Sequence, residues 1–469
     1  MKRMRIVLGA LAVLLLCAVG GQATGVCLGA EDGGDDAVGI VLDILKSGDQ
    51  EMQAVAIAMV KDMKGAEVTS ALAKELPNLS PTSQVQLLSV LGDRGDAAAL
   101  PAVVAASKGP DESVRVAALK AIGQLGDASM ALLLAERAAA AAGQEQKVAR
   151  ESLYRLRGAG VDEAILGGIA QVQPKTRVEL ITSLGQRNVS AGVETLLKTA
   201  KDADRAVRAE SLKVLSAVAR PEQLPALVDL LINIQSQSDR TEAEKMVAAV
   251  AHRIEKKDRQ AEAVLARLPE VNDVKSRSSL LLALGRIGDN SALPALRKEL
   301  GGKDLDVQTA TIRALSEWPT PEPVPDLLAI AGKSDNQLHR TLALRGFVRL
   351  LGLDANRPAN ETIEMYGQAM ALAPNAMEKR GVLSGLSAVA SADALKMAAG
   401  YLDDKELVQE AEVAVVKIAR AVYDKYPQQS ADLLKKIIAT TKNQAVRQQA
   451  EDVMNPPQKK ADAEENAAG

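Results

Sequence analysis

The chain has 469 residues, with 57 Lys and Arg set against 60 Asp and Glu, for a formal net charge of −3. So even a balance supplies no global positive field, which argues against nucleic acid as a partner. Hydrophobic residues make up 47 % of the chain and aromatics only 1 %, a bias to Ala, Leu and Val that suits closely packed helix pairs and excludes a sugar-stacking groove built on several aromatic platforms.

At the N-terminus, Lys2, Arg3 and Arg5 precede an apolar run from Ile6 to Val19, about 14 residues and too short for a comfortable membrane span. Gly21-Gln22-Ala23 places small residues before a cleavage site. The pattern predicts a signal peptide over 1–23, with Ala30 as the alternative end, and export to a bacterial periplasm or the medium. No later stretch reads as a membrane span. Cys17 lies inside the leader and Cys27 beside the cut, so no internal disulfide is expected. Both follow a large residue, Leu16 and Val26, which argues against a lipoprotein anchor. Residues 24–36, ending in Glu31-Asp32-Gly33-Gly34-Asp35-Asp36, read as an acidic flexible linker. They lack the spaced oxygens and closing bidentate acid of a calcium loop.

From Ala37 to Met454 one phrase recurs. An acidic or amide residue is followed three places later by an aliphatic one and then by Arg, Gln or His, before an Ala/Leu run that often ends in Leu-Gly or Leu-Gly-Asp. The clearest copy starts at Asp111, with Val114 and Arg115, and runs to Gly126-Asp127. Others start at Asp49, Asp204, Asp304, Asp335 and Asn443. A step of roughly 29 to 34 residues is the period of a stacked helical-repeat array. The acid is placed to cap the first helix of a pair. Val114, Ala117, Ala118, Leu119, Ile122 and Leu125 keep helical spacing, and Gly123 and Gly126-Asp127 are expected to end that helix. The second helix opens with phrases such as Leu224-Pro225-Ala226-Leu227, where a first-turn proline has no hydrogen bond to lose. The predicted fold is all-α, a right-handed α-solenoid of about thirteen antiparallel helix pairs over 37–454. The stretches 235–270, 351–377 and 421–442 break the rhythm, and the tail 455–469 is expected to be disordered.

The Asp-x-x-Val-Arg start, the Leu-Gly-Asp turn and the Ala-Leu-Pro-Ala-Leu second helix resemble the HEAT repeat, in its short PBS-lyase-type variety. A second likeness covers Ala314 to Pro319, Pro323 to Leu328, His339 to Arg349 and Ala398 to Asp403. It resembles a HEAT module of exported proteins from planctomycetes and related bacteria, in some of which the module sits beside a sugar-related enzyme domain. No such β-rich domain is evident here.

Little in the sequence suggests catalysis. Gly332-Lys333-Ser334 lacks the upstream glycine and strand of a phosphate loop, and Gly158-Ala159-Gly160 follows no strand. No nucleophile elbow is present. His252 and His339 stand far apart without cysteine companions, so neither a metal nor a cofactor is expected. His339 occupies the Arg/Gln position of the repeat and reads as a surface or inter-repeat hydrogen-bonding group. Arg115, Arg208 and Arg447 are expected to pair with acids of the adjacent repeat. Among the rare aromatics, Trp318, Phe347 and Tyr401 are candidate partner contacts; the competing reading of Trp318 is a plug in a repeat turn, packed on Pro319 and Pro321. The expectation is a monomeric, non-catalytic scaffold that binds a protein or peptide in the cell envelope. The alternatives are an accessory subunit of an envelope carbohydrate-active enzyme and a protein similar to the bilin lyases.

Overall fold

A computed structural model describes residues 33–455 except Gly48, Asp62, Lys64, Asp354 and Ala355. The predicted leader, most of the predicted linker and the tail from 456 lie outside the described residues. Within them the chain forms 26 α-helices and no strand. It divides into two compact units at residues 164 and 165.

The first unit contains α1 Gly33–Lys46, α2 Gln50–Val60, α3 Ala66–Glu75, α4 Pro81–Arg94, α5 Leu100–Ala106, α6 Glu112–Leu125, α7 Ala131–Ala140 and α8 Gly143–Arg155; α9 Val161–Ile169 carries the division. The second contains α10 Pro174–Gln186, α11 Val193–Thr199, α12 Arg205–Val218, α13 Leu224–Asn233, α14 Gln237–Ala251, α15 Glu262–Arg267, α16 Val274–Ile287, α17 Leu293–Leu300 and α18 Leu305–Ser316. It continues through α19 Val324–Lys333, α20 Gln337–Leu351, α21 Ala359–Leu372, α22 Ala376–Leu386, α23 Ala392–Ala399, α24 Val408–Val422, α25 Pro427–Thr440 and α26 Gln444–Met454. The first helix begins at Gly33, so the last residues of the stretch expected as linker are helical.

Within each unit the even-numbered helices stack on one another: α2 on α4, α4 on α6 and α6 on α8, then α10 through α26 in succession. Most odd-numbered helices pack on the even helix that follows, as α7 on α8 and α19 on α20. The recurring acid or amide sets where several of the even helices start. Asp111 Oδ1 accepts from Val114 N at 3.0 Å, and Asp204, Asp304 and Asn443 make the same kind of cap. In the copy expected from Asp335 the cap is Asn336, one residue later. The aspartate that follows the C-cap glycine has its own task. Asp96, Asp127 and Asp289, after Gly95, Gly126 and Gly288, accept from Ala98, Ser129 and Ser291 backbone N–H groups and start the 3₁₀ turn that leads into the next helix.

Gly123 does not end a helix. α6 runs through it to Leu125, and Gly126 is the C-cap. A Cβ at Gly123 would lie 2.7 Å from Ser152 Cβ on α8, and one at Gly285 would lie 2.5 Å from Ala314 Cα on α18. The glycine of the repeat phrase therefore marks where successive even helices approach too closely for a side chain. The core between layers is almost wholly aliphatic, with Leu119, Ile122, Leu215, Leu284 and Leu315 each at 0–1 % exposure.

Candidate partner-binding edge

Each repeat exposes the loop where an odd helix ends and the next even helix begins. The Arg/Gln/His position lies one turn into the even helix and folds back on that loop. Arg115 Nη1 donates to Gly109 O at 3.2 Å and Pro110 O at 2.7 Å, while Nε and Nη2 hold the Glu145 carboxylate at 3.0–3.2 Å. Arg208 donates to Asp202 O and Ala203 O at 2.9 Å and to Asp239 at 2.8 Å. Arg277 repeats the pattern with Val271 O at 2.7 Å and the Glu299 carboxylate at 2.6 Å. Gln308 donates to Gly302 O at 2.7 Å. His339 is buried and meets Thr309 Oγ1 of the preceding even helix at 2.8 Å, an inter-repeat hydrogen bond. Arg447 differs from expectation: it donates to Thr441 O at 2.8 Å and Ile438 O at 3.2 Å and meets Gln444 rather than an acid. The Arg and Gln side chains thereby satisfy carbonyls of the loops that follow the odd helices. Burial raises the Glu145 carboxyl pKa, but Arg115 and Arg137 together outweigh that and hold it below the usual carboxylate range.

A second series of arginines lies near the far end of the even helices, and the sequence reading missed it. Arg94 donates to Val60 O at 2.7 Å and also to Met63 O. Arg253 donates to Ser216 O at 2.6 Å and to Ala219 O. Arg349 donates to Ser316 O at 2.7 Å and to Trp318 O. In each case the guanidinium covers the last carbonyls of the even helix before it, where the helix dipole favours a cation. The signal was a basic residue at the end of the Leu-rich run, one repeat downstream of the helix it serves. Both arginine series are engaged within the fold and do not form a row of free cations.

The aromatic candidates divide. Trp318 and Phe347 are both fully buried, at 0 % exposure, which removes them from the surface as partner contacts. Trp318 Nε1 donates to Asn290 Oδ1 at 3.1 Å, joining its turn to the turn of the preceding repeat. Tyr401 is half-buried, and burial, with the nearby Asp404 charge adding to it, raises its hydroxyl pKa. The large apolar groups that do reach the surface are different ones. Leu305, Leu338 and Met377 are 58 %, 51 % and 66 % exposed. They sit in the first turn of α18, α20 and α22 respectively. Leu305 is the first residue of its helix and Leu338 and Met377 are the second of theirs, so all three reach the surface from the first turns of three successive even helices. Next to the first turns of α18 and α20 lies a groove of about 330 Å³ lined by Leu300, Ile312, Ile330, Lys333, Ser334 and His339. An equivalent groove of about 360 Å³, which includes Arg208, Ile234 and Asp239, opens at the same edge near α12 and α14. Among the described residues no group of three or more His, Cys, Asp or Glu is placed to hold a metal ion, and no helix is long and apolar enough to cross a membrane.

Residues 166–248 and 258–347 match the family model for HEAT repeats. These segments are HEAT repeats. The backbone is similar to that of Kap121p bound to Nup53p, at a TM-score of 0.54 and 11 % identity, over 90 % of this chain and 53 % of that one. Kap121p bound to the SUMO protease Ulp1p gives the same TM-score, identity and coverage. Kap95p, the yeast importin-beta, is similar in a structure concerned with its binding to RanGDP, at a TM-score of 0.50 and 13 % identity over 89 % of this chain and 68 % of that one. The chain thus spans about half the length of Kap121p, 53 % of it. At these identities the likeness is one of fold: an all-helical HEAT-repeat solenoid. No curated protein matches the chain in sequence.

Proposed function

We propose that this chain is an exported, non-catalytic HEAT-repeat scaffold that binds a protein or peptide partner in the cell envelope. The observation that carries the binding reading is the set of exposed Leu305, Leu338 and Met377 on the first turns of α18, α20 and α22, with a groove beside the first two of those turns. Exposed apolar groups gathered on neighbouring first turns are a surface feature of interaction sites, whereas scattered single ones are not. A repeat array presents such a set because each unit places its first turn on the same edge. Similar solenoids are described with bound proteins, Nup53p on Kap121p among them, which supports a protein as the ligand class. The basic start and apolar run Ile6 to Val19 support export.

The test is affinity capture from an envelope extract of the protein's own organism, using the chain from Thr24 onward. It is run in parallel with a Leu305→Asp/Leu338→Asp/Met377→Asp variant. An acid in a helix first turn is favoured by the dipole, so the variant is expected to fold. The expected result is one salt-resistant protein held by the native chain and lost from the variant. Retention of the same proteins by both would move the site to another face. Capture of nothing by either would count against the scaffold reading.

A further inference from the structure

The joint between α14 and α16 holds a group of charges that the repeat pattern does not require. Arg240 and Glu244 are one turn apart on α14 and are 2 % and 1 % exposed. Arg240 Nη1 reaches Ser279 Oγ on α16 at 3.4 Å. Arg286, near the end of α16, stands 3.7 Å from Glu244 and 3.7 Å from Glu317. Those separations are too long for hydrogen bonds. Glu244 Oε1, Arg240 Nε and Arg286 Nε accordingly lack hydrogen-bond partners. A buried carboxylate with one oxygen unpaired, held by a long ion pair and by Ser279, is poorly compensated for its desolvation. A neutral carboxyl carries no such penalty.

We propose that Glu244 is a protonation-controlled joint in the array: the neutral carboxyl keeps α14 packed on α16, and its ionisation loosens that pair of repeats. Burial pushes the Glu244 carboxyl up to about 7, against the opposing pull of the Arg286 charge and of Ser279, with Glu317 adding to the rise. For an acid raised on folding from an ordinary 4.5, the stabilising contribution is complete below that value and is lost as pH rises through about 7. The pH window of the joint is therefore about 4.5 to 7 and just above.

The other charged groups of the packed elements are engaged elsewhere. On α14, Asp239 is held by Arg208, and Glu242 pairs with Lys245 at the surface. On α12, Arg208 is the partner of Asp239, Glu210 pairs with Lys213, and Arg205 is exposed. α13 carries Asp229, held by Arg267. On α16, Arg277 is paired with Glu299, Lys275 is exposed, and the capping Asp273 is bonded to Ser276 and lies in the field of Arg240. One further titratable group bridges the same two helices. His252, at the C-cap of α14, donates from Nε2 to Ile287 O at 2.9 Å. A test must separate it from Glu244.

The experiment is hydrogen exchange of the full chain between pH 5.5 and 8.5, corrected for intrinsic exchange, on the native chain, Glu244→Gln and His252→Gln. The native chain is expected to lose at least about tenfold protection over 237–251 and 274–287 as pH rises, the equivalent of one unit of a raised pKa. The helices of the first unit should show no such loss. Glu244→Gln should stay protected throughout, and His252→Gln should keep the native slope. A flat native profile overturns the proposal. So does a native slope that survives in Glu244→Gln, or one that disappears only in His252→Gln. Should Glu244→Gln fail to fold, infrared difference titration of the native chain decides: a carboxyl band titrating near neutrality supports the joint, and titration of all carboxyls below about pH 5.5 overturns it.

Discussion

Replacing Trp318 with alanine would remove the largest side chain in the core of the second unit, at 0 % exposure, together with its hydrogen bond to Asn290 at 3.1 Å. A tryptophan buries roughly 150–250 Å². At about 25 cal/mol per Å², that corresponds to about 4–6 kcal/mol. Alanine recovers a small part of this, while the abandoned Asn290 carbonyl and the residual cavity act against it, so the expected loss is about 4 kcal/mol. Trp318→Phe keeps most of the apolar contact and forfeits the N–H, for a loss of about 1–2 kcal/mol. Urea denaturation followed by circular dichroism reads both variants. Hydrogen exchange should place the weakening in the neighbouring repeats between about residues 274 and 350, because a repeat array couples nearest neighbours. An unchanged unfolding curve for Trp318→Ala combined with lost partner capture would refute the reasoning and return Trp318 to the binding surface.

Gly285→Ala should destabilise by about 1–3 kcal/mol in urea denaturation despite the higher helix propensity of alanine, since its Cβ would meet Ala314 Cα at 2.5 Å. A gain in stability would show that α16 and α18 separate easily. Glu145 has a carboxyl held below the usual range, so its contribution is present above its unfolded value and lost as pH falls through the folded one. Arg115→Ala should therefore narrow the stability difference between neutral and acid conditions; equal acid sensitivity in melts of both chains would contradict this. Removing α25 and α26 should leave the remaining helices protected in hydrogen exchange with a modest loss of signal, as expected for neighbour coupling. Loss of all helical signal would be inconsistent with a repeat array.

The repeat, the helical class and most helix starts were legible because each rests on local chemistry. Asp111, Asp204, Asp304 and Asn443 cap the helices they precede. The pairing of Arg115 and Arg208 with acids of the next repeat was also legible, since both partners recur at the repeat period. What stayed hidden depends on which neighbour a residue meets. Gly123 looks like a helix stop in one dimension and is a contact point in three. Arg94, Arg253 and Arg349 look like solvated charges, but each covers the carbonyls of the helix one repeat before it. The stretch 235–270, which breaks the repeat rhythm, is rich in charge, yet Arg240 and Glu244 are buried within it. Leu305 and Leu338 have the composition of core residues, and only the start of the helix at Leu305 or Gln337 turns them outward. Rare aromatics drew attention to Trp318 and Phe347, whose bulk suits the core of a fold otherwise packed with small aliphatic groups.

The central claim is that the edge formed by the first turns of α18, α20 and α22 holds a protein partner. Its most direct test is hydrogen exchange of the chain alone and with its captured partner bound. The account predicts added protection confined to residues around 300–308, 330–340 and 374–379. Protection centred on the opposite ends of those helices or on the first unit, or no change anywhere on saturation with partner, would contradict it.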